Sequence, residues 1–388
     1  LSKRSHVKLA AGLLACMLGG LSGAFGASPE DARVRQLVDE AVKPVIEQYG
    51  IPGMAVAVTI AGEHHFFEYG LASKKPRIAV TRDTLFELGS ISKTFTATLA
   101  TYAEVEGKLS LTDSVGEHMP ELKGSALDAV RVLDLATHTT GGFPLQLPDD
   151  VKNQKQLVAY YRGWKPQFEP GTHRSYANPS AGLLGIVAAK AMGSSFKVLM
   201  EEKLFPQLGL QRTYIDVPKG EMKSYAWGYN RQDKPVRVTP ALLAHEAYGV
   251  KSNAVDMIRY VDVNMGIAIV PGPVARAVDA THVGYFRAGE IVQDLIWEQY
   301  PYPVALDRML AGNSPEMARS ATPAKAIEPP MPPQADVIVN KTGSTGGFGA
   351  YVAYIPAKKI GIVMLANKFY PNAERVKAAY AVLSGLAE

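Results

Sequence analysis

The sequence predicts an α+β protein: both ends of the chain build one antiparallel β-sheet flanked by helices, and a mainly helical domain is inserted between them. Three observations carry this expectation. Residues 54–60 and 64–70 are β-rich runs joined through a short Gly-containing link, which reads as a hairpin. Residues 349–355 and 359–365 form a second such pair across Pro356-Ala357-Lys358, preceded by a strand over 336–340. Between the two hairpins, from Gly107 to about Gly209, the segments are helical or irregular, with breaks at Pro120, Gly141-Gly142-Phe143-Pro144 and Pro170-Gly171. The expected divisions are a leader over 1–27, a first α/β part over 28–106, a helical insert over 107–210 and a second α/β part over 211–388.

The leader is read from Lys3, Arg4 and Lys8, an apolar stretch over residues 9–18, and small residues up to Ala27. A basic start, a short apolar core and Ala24-Phe25-Gly26 make a secretory signal, so a periplasmic protein is expected. Leu13-Leu14-Ala15-Cys16 also matches a lipoprotein cleavage box, although the apolar core continues past Cys16. Cys16 is the single cysteine, so a chain cut after residue 26 or 27 carries no disulfide and no thiolate metal site. Cleavage takes the formal charge from +4 to +1 by removing the three basic residues. A near-neutral chain without a basic run is not a nucleic-acid binder. Later apolar runs such as 360–366 are too short to span a bilayer, so no membrane association is expected after cleavage. With 388 residues, 47% of them hydrophobic, the chain has ample core material, and a monomer is expected.

Ser28-Pro29-Glu30-Asp31 begins the first helix, with Ser28 as cap and an apolar stripe at Val34, Leu37, Val38, Val42, Val45 and Ile46. His64 and His65 are neighbours on a strand, so they face opposite ways and do not form a metal pair. No histidine has a catalytic partner and no cluster has metal-ligand spacing, so neither metal nor organic cofactor is expected. Residues 372–386 form a last helix, apolar at Val376, Ala379, Tyr380, Val382 and Leu383.

The chemistry centres on Gly89-Ser90-Ile91-Ser92-Lys93, a turn feeding a helix with apolar positions at Phe95, Leu99, Tyr102 and Ala103. Ser90 or Ser92 is expected to cap the first turn. Residues three apart share a helix face, so the Lys93 ammonium reaches the Ser90 hydroxyl. A serine is a poor nucleophile until a neighbour takes its proton, and a desolvated lysine can do so. Ser-x-x-Lys is a cheap pattern, however, and recurs at Ser5–Lys8 and Ser194–Lys197. Tyr176-Ala177-Asn178, in the helical middle, and Lys341-Thr342-Gly343-Ser344, at a strand end, supply its company. Each is weak alone, and Tyr370-Pro371-Asn372 repeats the first. Their order along the chain is much less accidental.

With these residues in place, the chain resembles a class C β-lactamase, a serine cephalosporinase of the penicillin-recognising family with the β-lactamase/DD-peptidase fold. The resemblance runs from about Val34 to the end, through 51–56, 86–94, 142–146, 176–180, 246–251, 341–351 and 364–376. It implies that Ser90 attacks the lactam carbonyl and that Lys93 and Tyr176 relay its proton, with Lys341 as a further cation. It also implies an oxyanion hole from the backbone N–H groups of Ser90 and Ser344. Asn178 and Gln146 are implied for the acylamino side chain, Tyr248 for the wall of its pocket. Thr342 and Gly343, with Asn372 and, through a supporting shell, Arg375, are implied for the end of the substrate that bears the carboxylate. The partner implied is a small β-lactam. A packed tyrosine, a surface lysine, a helix-capping Asn372 and a surface Arg375 are the structural alternatives. Within the same fold a DD-peptidase or small-ester hydrolase is the rival, and a soluble β-lactam binder that acylates without turnover is the other. The intact Lys341-Thr342-Gly343 argues against the esterase.

Four places depart from the family. Asp294-Leu295-Ile296-Trp297 stands for a common Gly-Leu-Gly-Trp, His138 and Phe143 for Tyr and Leu, and Ala244-His245 for Asp-Ala. The 311–333 stretch is expected to be a loop bordering the site.

Overall fold

The computed structural model describes residues 28–388, so the expected leader and Cys16 lie outside the described residues. An eleven-stranded antiparallel sheet forms the centre. From one edge its order is Arg77–Ala79, Glu63–Lys74, Gly53–Ile60, Ile360–Ala366, Gly349–Ile355, Val337–Ser344, Glu298–Pro301, Ile291–Gln293, Gly284–Ala288, Thr322–Met331 and His173–Arg174. The two ends of the chain meet in its middle, where Met54 pairs Ala366 and Ile60 pairs Ile360.

Alternation along these strands divides their side chains between two covered faces. Met54, Val56, Val58, Ile360, Ile362 and Met364 pack under the terminal helices Pro29–Tyr49 and Asn372–Ala387, against Val34, Val38, Val376 and Leu383. Ala55, Ala57, Val363 and Leu365 face the other way, into a core shared with Phe95, Leu183 and Val261. Burial on both sides explains why these strands read as continuous apolar runs and not as alternating ones. The first helix carries the expected Ser28 cap, completed by Asp31 into a capping box, and stops at Gly50 in the left-handed region, φ +54°.

The helix Ser92–Val105 departs from its expected one-sided stripe, because every residue from Ser92 to Ala103 is buried. It packs against the helices Asn178–Ala191 and Gly272–Ala280. Its threonines remain satisfied by bonding backward along the helix, as Thr98 to the Thr94 carbonyl at 2.9 Å, or across it, as Thr101 to the Ala277 carbonyl at 2.7 Å. The large core is continuous from the sheet through the helices of residues 107–210. One short piece of that segment, His173–Arg174, joins the sheet edge by pairing with Thr322 and Pro323.

Two local expectations are corrected. The strand expected to stop before Lys341 runs on through Ser344, paired residue by residue with Gly349–Ala353. The 311–333 stretch is not a loop. It contains the helix Pro315–Arg319 and the strand Thr322–Met331, whose prolines are tolerated because only part of the strand pairs in register. Among the described residues no single helix is long and apolar enough to cross a membrane.

Candidate active site

Two glycines let the start of the buried helix and the edge of the Val337–Ser344 strand touch backbone to backbone. Gly89 has φ +53°, and a Cβ there would sit 2.3 Å from the Ser344 nitrogen. A Cβ on Gly343 would fall 1.9 Å from the Leu88 carbonyl oxygen. No side chain fits at either position, so the backbones of Ser90 and Ser344 come to one place. Ser90 sits in a short 3-10 turn, Gly89–Ile91, and neither it nor Ser92 caps the helix as expected. The Ser92 hydroxyl instead accepts from the Val250 N–H at 3.0 Å, tying the turn to the segment that carries Tyr248.

Lys93 lies one turn on, fully buried, and its ammonium donates to the Ser90 Oγ at 2.9 Å and to the Ala247 carbonyl at 2.8 Å. Tyr176 enters from the start of the helix Asn178–Ala191, with its hydroxyl buried and without a well-aligned hydrogen bond. Lys341 and Lys93 hold their Nζ atoms 5.0 and 5.3 Å from the Tyr176 ring centroid. Burial pulls Lys93 down to about 8, helped by Lys341 and opposed by Tyr176. Burial pushes Tyr176 up, but the Lys341 and Lys93 charges and the Ser90 hydroxyl outweigh it and bring the phenol down to about 8. Two groups whose ordinary values lie near 10 therefore converge close to neutrality, where a proton moves between them at little cost.

Ser90, Tyr176, Lys341, Thr342, Gly343, Ser344 and Asn372 line one cleft. An adjoining one shares Ser90, Tyr176 and Ser344 and adds Gln146, Asn178 and Tyr248. Eleven of the twelve expected site residues thus belong to one region, with Lys93 just beneath its surface. The Asn178 amide donates to the Gln146 Oε1 at 2.8 Å, while its own oxygen is buried without a partner.

Arg375 is the exception. It is fully buried, lines neither cleft, and donates to the carbonyls of Gly343 at 2.6 Å and Tyr370 at 3.1 Å and to the Ser344 Oγ at 2.9 Å. It is neither a surface arginine nor a substrate contact, and it braces the strand end. Burial lowers it to about 10, and no carboxylate is bonded to it among the described residues. Lys93, Lys341 and Arg375 together place three buried positive charges around the cleft, which favours an anionic ligand.

Sequence reading missed the residues behind Tyr176. Arg174, 2% exposed, donates to Glu298 at 2.6 Å, Gln293 at 2.5 Å and the Met317 carbonyl at 2.8 Å, with its guanidinium 5.5 Å from the Tyr176 ring centroid. The only signal was its place two residues before Tyr176 on an extended segment, where alternate side chains share a face. His138, a departure from the family, packs its ring 4.5 Å from that of Tyr176 and takes φ +59°. Burial, then the Arg174, Lys93 and Lys341 charges, hold its imidazole well below the ordinary range, hence neutral.

The other departures sit further back. Ile296, replacing a common glycine, is fully buried at φ +69°, an outlying conformation for a β-branched residue. Asp294 is fully buried with one oxygen accepting from Gln299 at 2.7 Å and the other unpartnered, and burial raises its pKa well above the carboxylate range. Among the described residues no three His, Cys, Asp or Glu side chains gather into a metal-ligand set.

Comparison with known proteins places this arrangement. A family model described as Beta-lactamase matches residues 34–387. A beta-lactamase from Pseudomonas fluorescens is 49% identical over 353 residues, covering 91% of this chain and 99% of the relative. The structure of a class C beta-lactamase in complex with cefoxitin superposes with a TM-score of 0.89 at 51% identity, covering 92% of this chain and 99% of that one. A beta-lactamase/D-alanine carboxypeptidase from Pseudomonas syringae superposes with a TM-score of 0.89 at 52% identity, covering 90% and 98%.

Proposed function

The chain belongs to the beta-lactamase family, and from that membership we propose that it hydrolyses the β-lactam amide of cephalosporins and penicillins through an acyl-enzyme on Ser90, as a class C serine β-lactamase. The Ser90 Oγ attacks the lactam carbonyl while its proton passes into the Lys93–Tyr176 pair. As the ring C–N bond breaks, that proton goes to the departing nitrogen, leaving an ester on Ser90. Water then attacks the ester, gives a proton to the same pair, and the proton returns to Ser90 as the acid leaves. Lys93 and Tyr176 act as a coupled set, so the role of base belongs to the pair. The observation that carries this reading is geometric: the Lys93 ammonium donates to the Ser90 Oγ at 2.9 Å, and Tyr176 and Lys341 line the same cleft as Ser90.

The remaining residues have matching tasks. Backbone N–H groups of Ser90 and Ser344 receive the oxyanion. Lys341, Thr342 and Asn372 attract the substrate carboxylate, with Arg375 acting through the strand end it braces. Gln146, Asn178 and Tyr248 take the acylamino side chain. A periplasmic location follows from the basic, then apolar, then small-residue pattern of residues 1–27, and β-lactam resistance follows from the activity there.

Purified protein mixed with a chromogenic cephalosporin tests the proposal, following absorbance for turnover and intact mass for the adduct. Repeated turnover with a short-lived adduct, lost in Ser90→Ala, is expected. One stoichiometric adduct without turnover would leave a β-lactam binder. The carboxypeptidase named for the Pseudomonas syringae relative supports a second reading. Release of D-alanine from a peptide ending in two D-alanines, without lactam turnover, would establish it instead.

A further inference from the structure

Three residues before Ser90, a buried carboxylate lies beneath the two clefts without lining either. Glu87, 1% exposed, sits on the two-residue strand Phe86–Glu87, which pairs with Lys251–Ser252. The Leu88 N–H donates to the Val250 carbonyl at 2.9 Å, so the backbone around the carboxylate is fixed. The Glu87 Oε1 accepts from the Tyr225 hydroxyl and from the Val238 N–H, each at 2.6 Å, and its Oε2 accepts from the Thr345 hydroxyl. All three donors are neutral, and each belongs to a different segment. Burial, then the Glu87 charge, hold the Tyr225 phenol well above its ordinary range, so it stays a donor. Val238 and Thr345 line a cleft together with Ser90 and Ser344, whereas Tyr225 lines neither cleft.

The Thr345 bond stands where the sheet lets go of the chain. The ladder between Val337–Ser344 and Gly349–Ile355 ends at the pair Ser344–Gly349, and the loop between them carries Gly346-Gly347. The Thr345 N–H donates to the Phe348 carbonyl at 3.1 Å, a bond internal to that loop. Arg375 holds the Ser344 Oγ from the strand side, and the Glu87–Thr345 bond ties the loop back to the segment that carries Ser90. A hydrogen bond to a buried charge is about twice as strong as a neutral one, so it holds direction well. Resting on the Ser90–Ser344 oxyanion hole of the lactamase reading, we propose that Glu87 is a positioning residue: through Thr345 it sets the Ser344 N–H against the oxyanion formed at Ser90. The oxyanion exists only in the transition state, so a displaced donor costs rate and not substrate binding. The Tyr225 arm of the same carboxylate serves the fold.

The test uses the full chain and phenylboronic acid, whose adduct reports the oxyanion site. The Ser90 Oγ adds to the trigonal boron, its proton passes to the Lys93–Tyr176 pair, and one boron oxygen comes to the oxyanion position. Calorimetry gives the boronate affinity, beside kcat/KM for a chromogenic cephalosporin and the urea midpoint. Thr345→Val keeps the side-chain shape without the hydroxyl, and is expected to lower boronate affinity and kcat/KM about tenfold, less than loss of an oxyanion donor outright. Thr345→Ser and Glu87→Gln should both stay within about twofold of the parent, the first keeping the hydroxyl, the second accepting from Tyr225 and Val238 and donating to the Thr345 Oγ. Tyr225→Phe should lower the urea midpoint while shifting boronate affinity by less than about twofold. Glu87→Met should match Thr345→Val in boronate affinity, and adding Thr345→Val to it should cost nothing further, because the bond is already gone. Where Glu87→Met fails to fold, Thr345→Val against Thr345→Ser decides alone. Equal losses of boronate affinity in Thr345→Val and Tyr225→Phe, no loss in Thr345→Val, or full additivity in the double variant would each overturn the assignment. Failure of the lactamase reading shows separately, as no cephalosporin turnover by the parent, and the boronate affinities still decide the role of Glu87.

Discussion

Lys93 and Arg174 bring buried positive charge to the same phenol, 5.3 and 5.5 Å from the Tyr176 ring centroid, yet their surroundings differ. Arg174 meets a carboxylate, an amide oxygen and a carbonyl, each at 2.5 to 2.8 Å. Lys93 has one hydroxyl, one carbonyl and no carboxylate. The first charge is fully answered by hydrogen-bond partners, one of them a carboxylate. The second is under-answered, so burial brings its proton within reach near neutral pH. Within one small volume, the number and charge of the partners separate a structural cation from a reactive one.

Removing the reactive side should cost activity without costing stability. Lys93→Met or Tyr176→Phe is expected to lower kcat/KM about 10³- to 10⁴-fold. Stability to urea should stay level or rise by about 1 kcal/mol, because an incompletely compensated buried group is removed. A large loss of stability in Lys93→Met would break the contrast.

The structural side should respond in reverse. Glu298→Gln leaves Arg174 buried without a negative partner and is expected to destabilise by about 3–5 kcal/mol. Activity per folded molecule should fall far less than for Lys93→Met. An unchanged urea midpoint would show that Arg174 is answered by its neutral acceptors alone.

Lys341→Ala sharpens the comparison through pH. The Lys341 charge lowers Tyr176 and also lowers Lys93, so removing it raises both. The reactive cluster must first lose one proton, so the acid limb of kcat/KM should move upward by roughly one pH unit. Measured against pH 6 to 10, an acid limb that stays in place would remove Lys341 from the set.

Glu246 offers the smallest test, a half-buried carboxyl with no ion pair among the described residues. Burial raises it to about 7. Its native value thus exceeds its unfolded one, so its contribution is most favourable below the unfolded pKa and is lost as pH rises through about 7. Glu246→Gln should gain on the order of 2 kcal/mol relative to the parent at pH 9 and nearly nothing at pH 4. Equal differences at the two pH values would mean that the carboxyl is solvated.

Signals that act within a few residues were legible in the sequence. The hairpins, the Ser28 cap, the Ser90–Lys93 spacing and the last helix depend on turn residues and on periods of 2 and 3.6, which any short window contains. The company of Ser90 was legible only through family resemblance, because Tyr176 and Lys341 are brought to it by a fold and not by any local period. Depth was not legible at all. Nothing near Arg375 tells that it lies inside, bracing Ser344, or that the helix from Ser92 is covered on every side. The lowering of Lys93 and of Tyr176 was likewise decided by tertiary structure alone, since electrostatic and desolvation effects follow distances between atoms far apart in the chain.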